Sequence, residues 1–217
     1  RQMCIRDRAF ALYLFWFFLG RNYGDSAEVG LSPFDNFIGI FYAQGGQSYM
    51  DWGIPLWFLP CIFMVFLVFS AIDKIQSKIP SNMVVIFIVL LGFIWPRLTG
   101  LHLPWSIDVA LVSVGFYAFG GQLKTWLFGL SKQNTALLFL LFFGIHFIGF
   151  YINPEKVDMY RSIYGNEALF FLSGLSGAIA YLMFFKLVPV FSFFAYLGRH
   201  TIVLLAAHMR MLTVVKL

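Results

Sequence analysis

The sequence predicts an all-α, polytopic integral membrane protein, and three observations support this fold class. Hydrophobic residues make up 60% of the 217 residues and charged residues 12%, with a mean hydropathy of +0.81, whereas soluble domains are about a quarter charged. Apolar runs alternate with short segments that hold nearly all of the Pro, Asn, Asp and Lys, as expected of helices that thread a bilayer. Segments of about ten alternating residues, typical of a transmembrane β-barrel, do not occur. We therefore expect a bundle of membrane-spanning helices.

The first eight residues are interpreted as an artefact. They read as an in-frame translation of a transposon-end adapter used to prepare sequencing libraries, so residues 1–8 are excluded from the fold prediction and residues 9–217 form the expected domain. Their removal takes away three arginines and one aspartate and lowers the formal charge from +5 to +3. Positive-inside loops explain this charge without a nucleic-acid partner. Cys61 is then the one cysteine left, which excludes a disulfide framework or a cysteine metal cluster.

Seven apolar segments are predicted as helical spans. The first has no start signal and is too short to cross about 30 Å of hydrocarbon, so we expect it to be the tail of a longer helix. The second begins near Trp57, at the depth of an interfacial aromatic residue. The third is short and ends at Pro96, so the protein is expected to be thin there or to extend the span toward Ile79. In order, the seven predicted spans are residues 9–19, 56–72, 83–95, 104–123, 136–152, 167–187 and 201–217.

The later spans have clearer boundaries or packing signals. The fourth leaves through Gly120-Gly121-Gln122, and the fifth lies between Asn134-Thr135 and Asn153-Pro154. The seventh stops without a polar exit, so we expect the chain to be truncated at this end as well as at its start. The sixth carries small residues that let a neighbouring helix approach closely, namely Ser173, Gly174, Ser176, Gly177 and Ala178.

The loop charges predict the orientation of these spans. One set of alternate connections holds Lys and Arg with a single acid, Asp73, and is expected to face the cytoplasm. The opposite set includes the longest polar connection, residues 20–55, with four acids against one arginine, and we expect it outside. Residues 33–44 within it are predicted as a short interfacial helix. The basic residues of the cytoplasmic set are Lys74, Lys78, Lys124, Lys132, Lys186 and Arg199.

Three ionisable residues are predicted to lie inside spans, where charge is costly and often functional. His208 is about 9 Å into the seventh span, and either serves a functional cavity or makes an interhelical hydrogen bond. Arg210 lies about 200° around the same helix, so the two cannot reach one point unless the helix is unwound. His146 is at the middle of its span, and a hydrogen-bonded core histidine is favoured over a functional one. All three are candidate cavity residues.

Two further groups of residues are candidates for ligand binding. Arg97, His102 and Trp105 lie on an outer connection and could bind a polar or carbohydrate ligand, although an interfacial anchor explains Trp105 equally well. Arg199 and His200 lie at a predicted cytoplasmic helix start and could contact the phosphates of a nucleotide-like cofactor, although positive-inside topology also places Arg199 there. Phosphate-binding glycine loops, paired carboxylates and hydrolase motifs are absent from the sequence, and no metal site is predicted.

Three short motifs, taken in order and spacing, resemble the bacterial acyltransferase-3 family, and most closely its sugar O-acetyltransferases. The resemblance covers residues 9–217. The motifs are Pro55-Leu56-Trp57-Phe58-Leu59-Pro60, Leu103-Pro104-Trp105-Ser106-Ile107-Asp108, and Tyr196-Leu197-Gly198-Arg199-His200-Thr201 followed by Leu204-Leu205-Ala206-Ala207-His208.

The resemblance implies a protein of about ten helices in the bacterial inner membrane. Such a protein takes an acetyl or other acyl group from a cytoplasmic thioester, usually acetyl-CoA, and places it on a carbohydrate hydroxyl of a surface glycan. The family's best-known catalytic pair is an arginine and a histidine in the first helix, with the histidine as general base. No such pair lies at the start of this chain, so we expect that histidine to be absent and the given chain to be inactive alone.

The resemblance also bears on individual positions. Residues 9–19 would correspond to the third helix of the family, which runs outward and agrees with the acidic loop after it. Arg199 and His208 match the third motif and remain candidate cavity residues, whereas Thr201 replaces the usual serine. Two alternatives stay open. A glycan or lipid transporter or polymerase would show discontinuous helices in matching halves, and a non-catalytic scaffold would use its buried polar residues to satisfy one another.

Overall fold

A computed structural model describes residues 5–22, 30–75, 81–189 and 192–201 of the chain. The protein is 82% helical, and the described ranges contain no strand, which confirms the all-α prediction. Short 3₁₀ turns at Gly20–Asn22, Ile54–Trp57, Pro104–Ser106 and Met159–Arg161 join the helices. The helices are α1 (Ile5–Phe18), α2 (Pro33–Tyr42), α3 (Gln47–Met50), α4 (Phe58–Ile75), α5 (Ser81–Thr99), α6 (Ile107–Gly129), α7 (Lys132–Ile152), α8 (Glu167–Leu187) and α9 (Ser192–Arg199).

Five helices in the described ranges are long and apolar enough to cross a bilayer, and the chain is a multi-pass membrane protein. They confirm the second to sixth predicted spans. The apolar part of α1, Ala9–Phe18, is shorter than a span, as its sequence predicted. The seventh predicted span lies outside the described residues beyond Thr201. The five spanning segments are Ile54–Lys74, Asn82–Thr99, Pro104–Lys124, Lys132–Ile152 and Glu167–Leu187.

The predicted end of the third span at Pro96 is wrong, because α5 continues through this proline to Thr99. Proline removes one backbone donor from a helix, yet the last turn is completed by other bonds. The amide of Gly100 donates to Pro96 O at 2.9 Å, and Thr99 Oγ1 donates to Trp95 O at 2.8 Å. The helix therefore reaches a spanning length without a thin region of the protein.

The fourth spanning segment ends at Lys124, one residue after its predicted end, but Gly120 and Gly121 do not end the helix, because α6 continues to Gly129. Glycine costs a helix about 1 kcal/mol, but packing overrides this preference. Leu127 is buried with Ile179 and Met183 of α8. Lys186 Nζ donates to Leu127 O and Leu130 O at 2.7 and 2.9 Å, which satisfies carbonyls at the helix end. This contact also agrees with the prediction that Lys186 and the α6–α7 connection lie on one side of the membrane.

The start of the fifth span lies four residues before its predicted position. The α7 helix begins at Lys132, and the Ser131 hydroxyl accepts a hydrogen bond from Asn134 N at 3.3 Å. Serine is a favoured N-cap because its oxygen binds an amide that the helix leaves unpaired. Asn134 and Thr135, predicted to precede the helix, therefore belong to its first turn.

The chain divides into two compact units, Arg1–Val114 with His200–Leu217, and Gly115–Arg199. In the first unit, the long connection predicted to be polar is a packed structure, which we call the cap (residues 31–57). It contains the predicted interfacial helix as α2, which ends two residues early at Tyr42. Its buried cluster with α1 consists of Ala9, Tyr13, Trp16, Ala43, Met50, Trp52 and Leu56.

Asn36, fully buried in α2, connects the parts of the cap. Its Nδ2 donates to Ser48 O at 3.1 Å and to Ser32 O at 3.3 Å. Its Oδ1 accepts from Asp51 N at 2.9 Å, and its carbonyl accepts from Trp52 Nε1 at 2.9 Å. Burying so polar a side chain is favourable only with such partners, so these bonds fix α3 against α2.

In the second unit, α7 and α8 pack closely and antiparallel. A Cβ added at Gly149 would lie 3.0 Å from Ser173 Cβ, and one at Gly177 would lie 2.6 Å from His146 Nδ1. A Cβ added at Gly174 would meet the Phe116 ring of α6 at 2.8 Å. The prediction that small residues of α8 let neighbouring helices approach is thus confirmed for Ser173, Gly174 and Gly177, whereas Ala178 is exposed.

Candidate functional site

A histidine and a buried aspartate pair at the start of α6. Asp108 lies in the first turn of this helix, with its side chain 1% exposed, and its Oδ2 is 2.9 Å from His102 Nδ1. A helix N-terminus favours a carboxylate, which in turn binds an imidazole N–H. Nδ1 therefore carries the proton in neutral His102 and Nε2 carries the lone pair. Because the His102 side chain is 30% exposed, we call the two residues the dyad and take it as the candidate site.

The cap holds the connection that carries the dyad. Tyr42 Oη donates to His102 O at 2.6 Å, and Trp105 Nε1 donates to Phe41 O at 2.8 Å. Burial raises the pKa of Tyr42, and the nearby Tyr49 and Asp108 raise it further, so this hydroxyl stays protonated and remains a donor. Both connections were predicted to lie outside, and their contact agrees with a location on the same side.

Backbone strain gathers at this contact between cap and dyad. Ala43, Trp105 and Ser106 have φ values of 51°, 58° and 51°, and among the described residues they are three of the four non-glycine residues with positive φ. This conformation costs an L-residue about 1–2 kcal/mol and persists where surrounding contacts enforce it. Ser106 is buried and its Oγ donates to Ala43 O at 3.5 Å. Strain of this kind concentrates at functional sites.

Close packing between α5 and α6 fixes the Asp108 backbone. A Cβ added at Gly92 would lie 2.9 Å from Asp108 O and 2.8 Å from Val112 Cγ2. Val112 is completely buried, as is Ala110. The absent side chain at Gly92 therefore lets the two helices meet at the residue that orients His102.

Two of the three residues predicted for the outer ligand site lie together in this arrangement. His102 and Trp105 both bond to the end of α2, and Trp105 is 43% exposed with its ring edge toward Phe63. Arg97 is exposed in the last turn of α5, and its role in binding stays a prediction. Trp105 also satisfies its N–H within the protein, which neither of its two predicted roles required.

Sequence reasoning missed Asp108 and Tyr42. Asp108 was noted as the last residue of the second motif and not as a site residue, although an acid in a first helical turn six residues after a histidine was a usable signal. Tyr42 gave no comparable signal, because its contact joins residues 60 positions apart. The motif that contains Trp105 and Asp108 was identified in the sequence, but the role of Asp108 within it was not.

His146 is hydrogen-bonded in the second unit, as the favoured interpretation predicted. Its Nδ1 lies 2.8 Å from Ser173 O, and Ser173 Oγ donates to His146 O at 3.1 Å. His146 also lines a cavity beside the connection from α7 to α8. The hydrogen bonds agree with the favoured interpretation, and a functional role of His146 stays a prediction.

The remaining predicted residues lie at or beyond the end of α9. Arg199 is exposed in the last turn of this helix, and His200 is exposed after it. Arg199 ends α9, where the helix dipole favours a cation. Thr201, two residues later, is again helical, which agrees with the prediction that a helix starts beside Arg199 and His200. Contact of either residue with a cofactor stays a prediction. His208 and Arg210 lie outside the described residues.

No family model, curated protein or solved structure matches the chain. Within the described ranges, no three His, Cys, Asp or Glu side chains come together in a group that could hold a metal ion. The candidate site offers an imidazole, a carboxylate and an indole, from His102, Asp108 and Trp105.

Proposed function

We propose that the protein is a membrane-bound O-acyltransferase of a bacterial inner membrane. It would transfer an acetyl or other acyl group from a cytoplasmic acyl-CoA to a carbohydrate hydroxyl of a surface glycan. The motif resemblance supports the reaction class, and the multi-pass helical fold is compatible with it. The observation that carries the proposal is the hydrogen bond of 2.9 Å between His102 Nδ1 and buried Asp108.

The dyad suits the acceptor half of an acyl transfer. An alcohol becomes an effective nucleophile when a positioned base removes its proton. Nε2 of His102 would take the hydroxyl proton as the oxygen bonds to the acyl carbon. The thioester C–S bond would then break, and the imidazolium would return this proton to the departing thiolate, so that the thiol leaves and His102 is neutral again. Asp108 would stay ionised, keep Nδ1–H in place and stabilise the imidazolium that forms.

The surroundings of the dyad suit a carbohydrate acceptor. Trp105 bonds through its indole N–H to Phe41 O and is 43% exposed, so its aromatic ring is available to an apolar face of a sugar. The dyad lies in a connection predicted to face outside, where a surface glycan would be found. Arg199 and His200 remain the proposed contacts for the phosphates of the acyl-CoA donor, and this assignment rests only on charge.

The proposal is tested in cells that express the gene in full, by measuring acetyl groups on the surface glycan. We expect His102→Gln and Asp108→Asn each to lower acetylation about 10²- to 10⁴-fold, the usual contribution of a general base. Asp35→Asn is the matched control, because Asp35 also lies in the first turn of a helix, α2, and it should acetylate at the normal rate. Full acetylation by His102→Gln at normal membrane levels would show that the dyad is not part of the reaction.

A further inference from the structure

A cavity of about 380 Å³ lies beside the connection between α7 and α8, and we call it the His146 cavity. Its volume falls in the range of about 300–1,000 Å³ common for small-molecule sites. All of its lining belongs to the second unit. The lining residues are His146 and Phe150 of α7, Asn153, Pro154, Glu155, Lys156 and Val157 of the connection, and Phe170, Ser173 and Gly174 of α8.

One ring edge of His146 is held by contacts with α8. Nδ1 lies 2.8 Å from Ser173 O, an acceptor, so Nδ1 carries the proton in the neutral ring and Nε2 carries the lone pair. The edge formed by Nδ1 and Cε1 packs on Gly177, where an added Cβ would lie within 2.9 Å of both atoms. The hydrogen bond to Ser173 O leaves Nε2 as the ring nitrogen of this cavity-lining side chain that can accept a hydrogen bond.

The rest of the lining selects against a charged ligand. Most of it is carbon from aromatic and aliphatic groups, with Phe150 and Phe170 as its largest members. The two ionisable residues at the connection, Glu155 and Lys156, are adjacent and opposite in charge. His146 lies seven residues before Asn153, about 10 Å along the helix, at a depth where an ionised group is costly.

We infer that the His146 cavity binds an uncharged apolar molecule that carries a hydroxyl group, of the alcohol or phenol class. Its hydroxyl donates a hydrogen bond to Nε2 of His146, and its apolar part packs between Phe150 and Phe170. A carboxylate or phosphate would meet a lone pair at Nε2 and would lose its hydration without compensation. An ether of the same shape would lack the donor. This inference does not depend on the proposed transferase activity.

The binding test uses the 217-residue chain in nanodiscs with ¹⁵N-labelled histidine, because the chain has four histidines and their ring nitrogens can be resolved. The probes are 4-phenylphenol, its methyl ether and 4-phenylbenzoate. We expect the phenol alone to shift the Nε2 resonance of His146 in a saturable manner. No shift with the phenol, or an equal shift with the benzoate, would overturn the inference.

A matched pair of variants on α7 tests the position of the ligand. Phe150 and Phe147 are 67% and 60% exposed, but only Phe150 lines the cavity. We expect Phe150→Ala to weaken phenol binding about tenfold, because it removes apolar surface that the bound phenol would cover, and Phe147→Ala to leave it unchanged. Equal effects of the two variants would place the phenol in the lipid and refute the site. The His146 resonance is assigned with His146→Gln or, if that variant does not fold, by elimination with variants of His102, His200 and His208.

Discussion

Replacement of Asn36 by alanine should release the cap while leaving the spanning helices in place. The Asn36 side chain donates to Ser32 O and Ser48 O and accepts from Asp51 N. Alanine removes these three bonds and leaves the Asp51 amide and the Ser48 carbonyl without this partner. The bond from Trp52 Nε1 goes to the backbone carbonyl of residue 36 and survives the change.

The cost of this change follows from the buried groups that lose a partner. An unsatisfied buried amide or carbonyl costs about 1–3 kcal/mol. The bond of 3.3 Å to Ser32 O is long and therefore contributes little to the free energy of the closed cap. The bonds of 2.9 and 3.1 Å to Asp51 N and Ser48 O are only partly buried, so the lower part of this range, about 1–2 kcal/mol each, applies, and together they give about 2–4 kcal/mol against the closed cap. Since about 1.4 kcal/mol is a factor of ten, opening should become about 30- to 1,000-fold more frequent.

Amide hydrogen exchange of the chain in nanodiscs measures this opening directly. We expect faster exchange in α3 and the turn Ile54–Trp57, and unchanged exchange in α8. Asn22→Ala is the control, because the exposed Asn22 makes one long bond of 3.5 Å to Phe18 O. If Asn36→Ala changes exchange in the cap no more than Asn22→Ala does, the asparagine does not hold the cap and the reasoning fails.

An aspartate at the same position separates the hydrogen bonds from simple side-chain volume. Asn36→Asp has nearly the same shape, but its second oxygen would face the carbonyls of Ser32 and Ser48, which accept and cannot donate. The variant should open as readily as alanine at neutral pH. It should close again as the carboxyl is protonated, because a protonated carboxyl donates. Exchange that is equally slow at both pH values would contradict this explanation.

Two further predictions concern helix packing and pH. Gly92→Ala should destabilise the protein by about 1–3 kcal/mol, because its Cβ would lie 2.9 Å from Asp108 O. In thermal unfolding, Gly120→Ala should cause no such loss, because its added Cβ has no atom within 4 Å. For Asp158, burial raises the pKa above 3.8, so its favourable contribution is present below that pH and is lost as pH rises through the raised pKa. Asp158→Asn should remove this loss of stability as the pH rises above 3.8, and parallel stability curves for variant and parent would contradict it.

The fold was predictable because a bilayer imposes one requirement on every span. Backbone groups in hydrocarbon must be bonded within a helix, so apolar runs identify the spans. Helix ends follow local and tertiary bonds instead, and these misled the sequence interpretation. Pro96 fails to end α5 because a threonine hydroxyl and a later amide complete its last turn. Gly120 and Gly121 fail to end α6 because Lys186 binds carbonyls 56 and 59 residues earlier in the chain.

The candidate site was predictable only in part, because some of its contacts join residues that are close in the sequence and others join residues that are far apart. His102 and Trp105 were identified from their place on an outer connection. Asp108 is six residues from His102, near enough for the pair to be expected from a helix start. The part played by the end of α2 depends on contacts between residues 60 and 64 positions apart, which no local pattern encodes.

The dyad and the cap are held in place by different contacts, so their roles can be tested separately. Asn36 closes the cap from within, whereas Phe41 and Tyr42 attach it to the connection that carries His102. Opening the cap should therefore lower acyl transfer without changing the dyad itself, and the loss should follow the fraction of open molecules. His102→Gln should abolish transfer while the cap stays closed to hydrogen exchange. If the cap served only to cover α1, Asn36→Ala would open it with no effect on transfer.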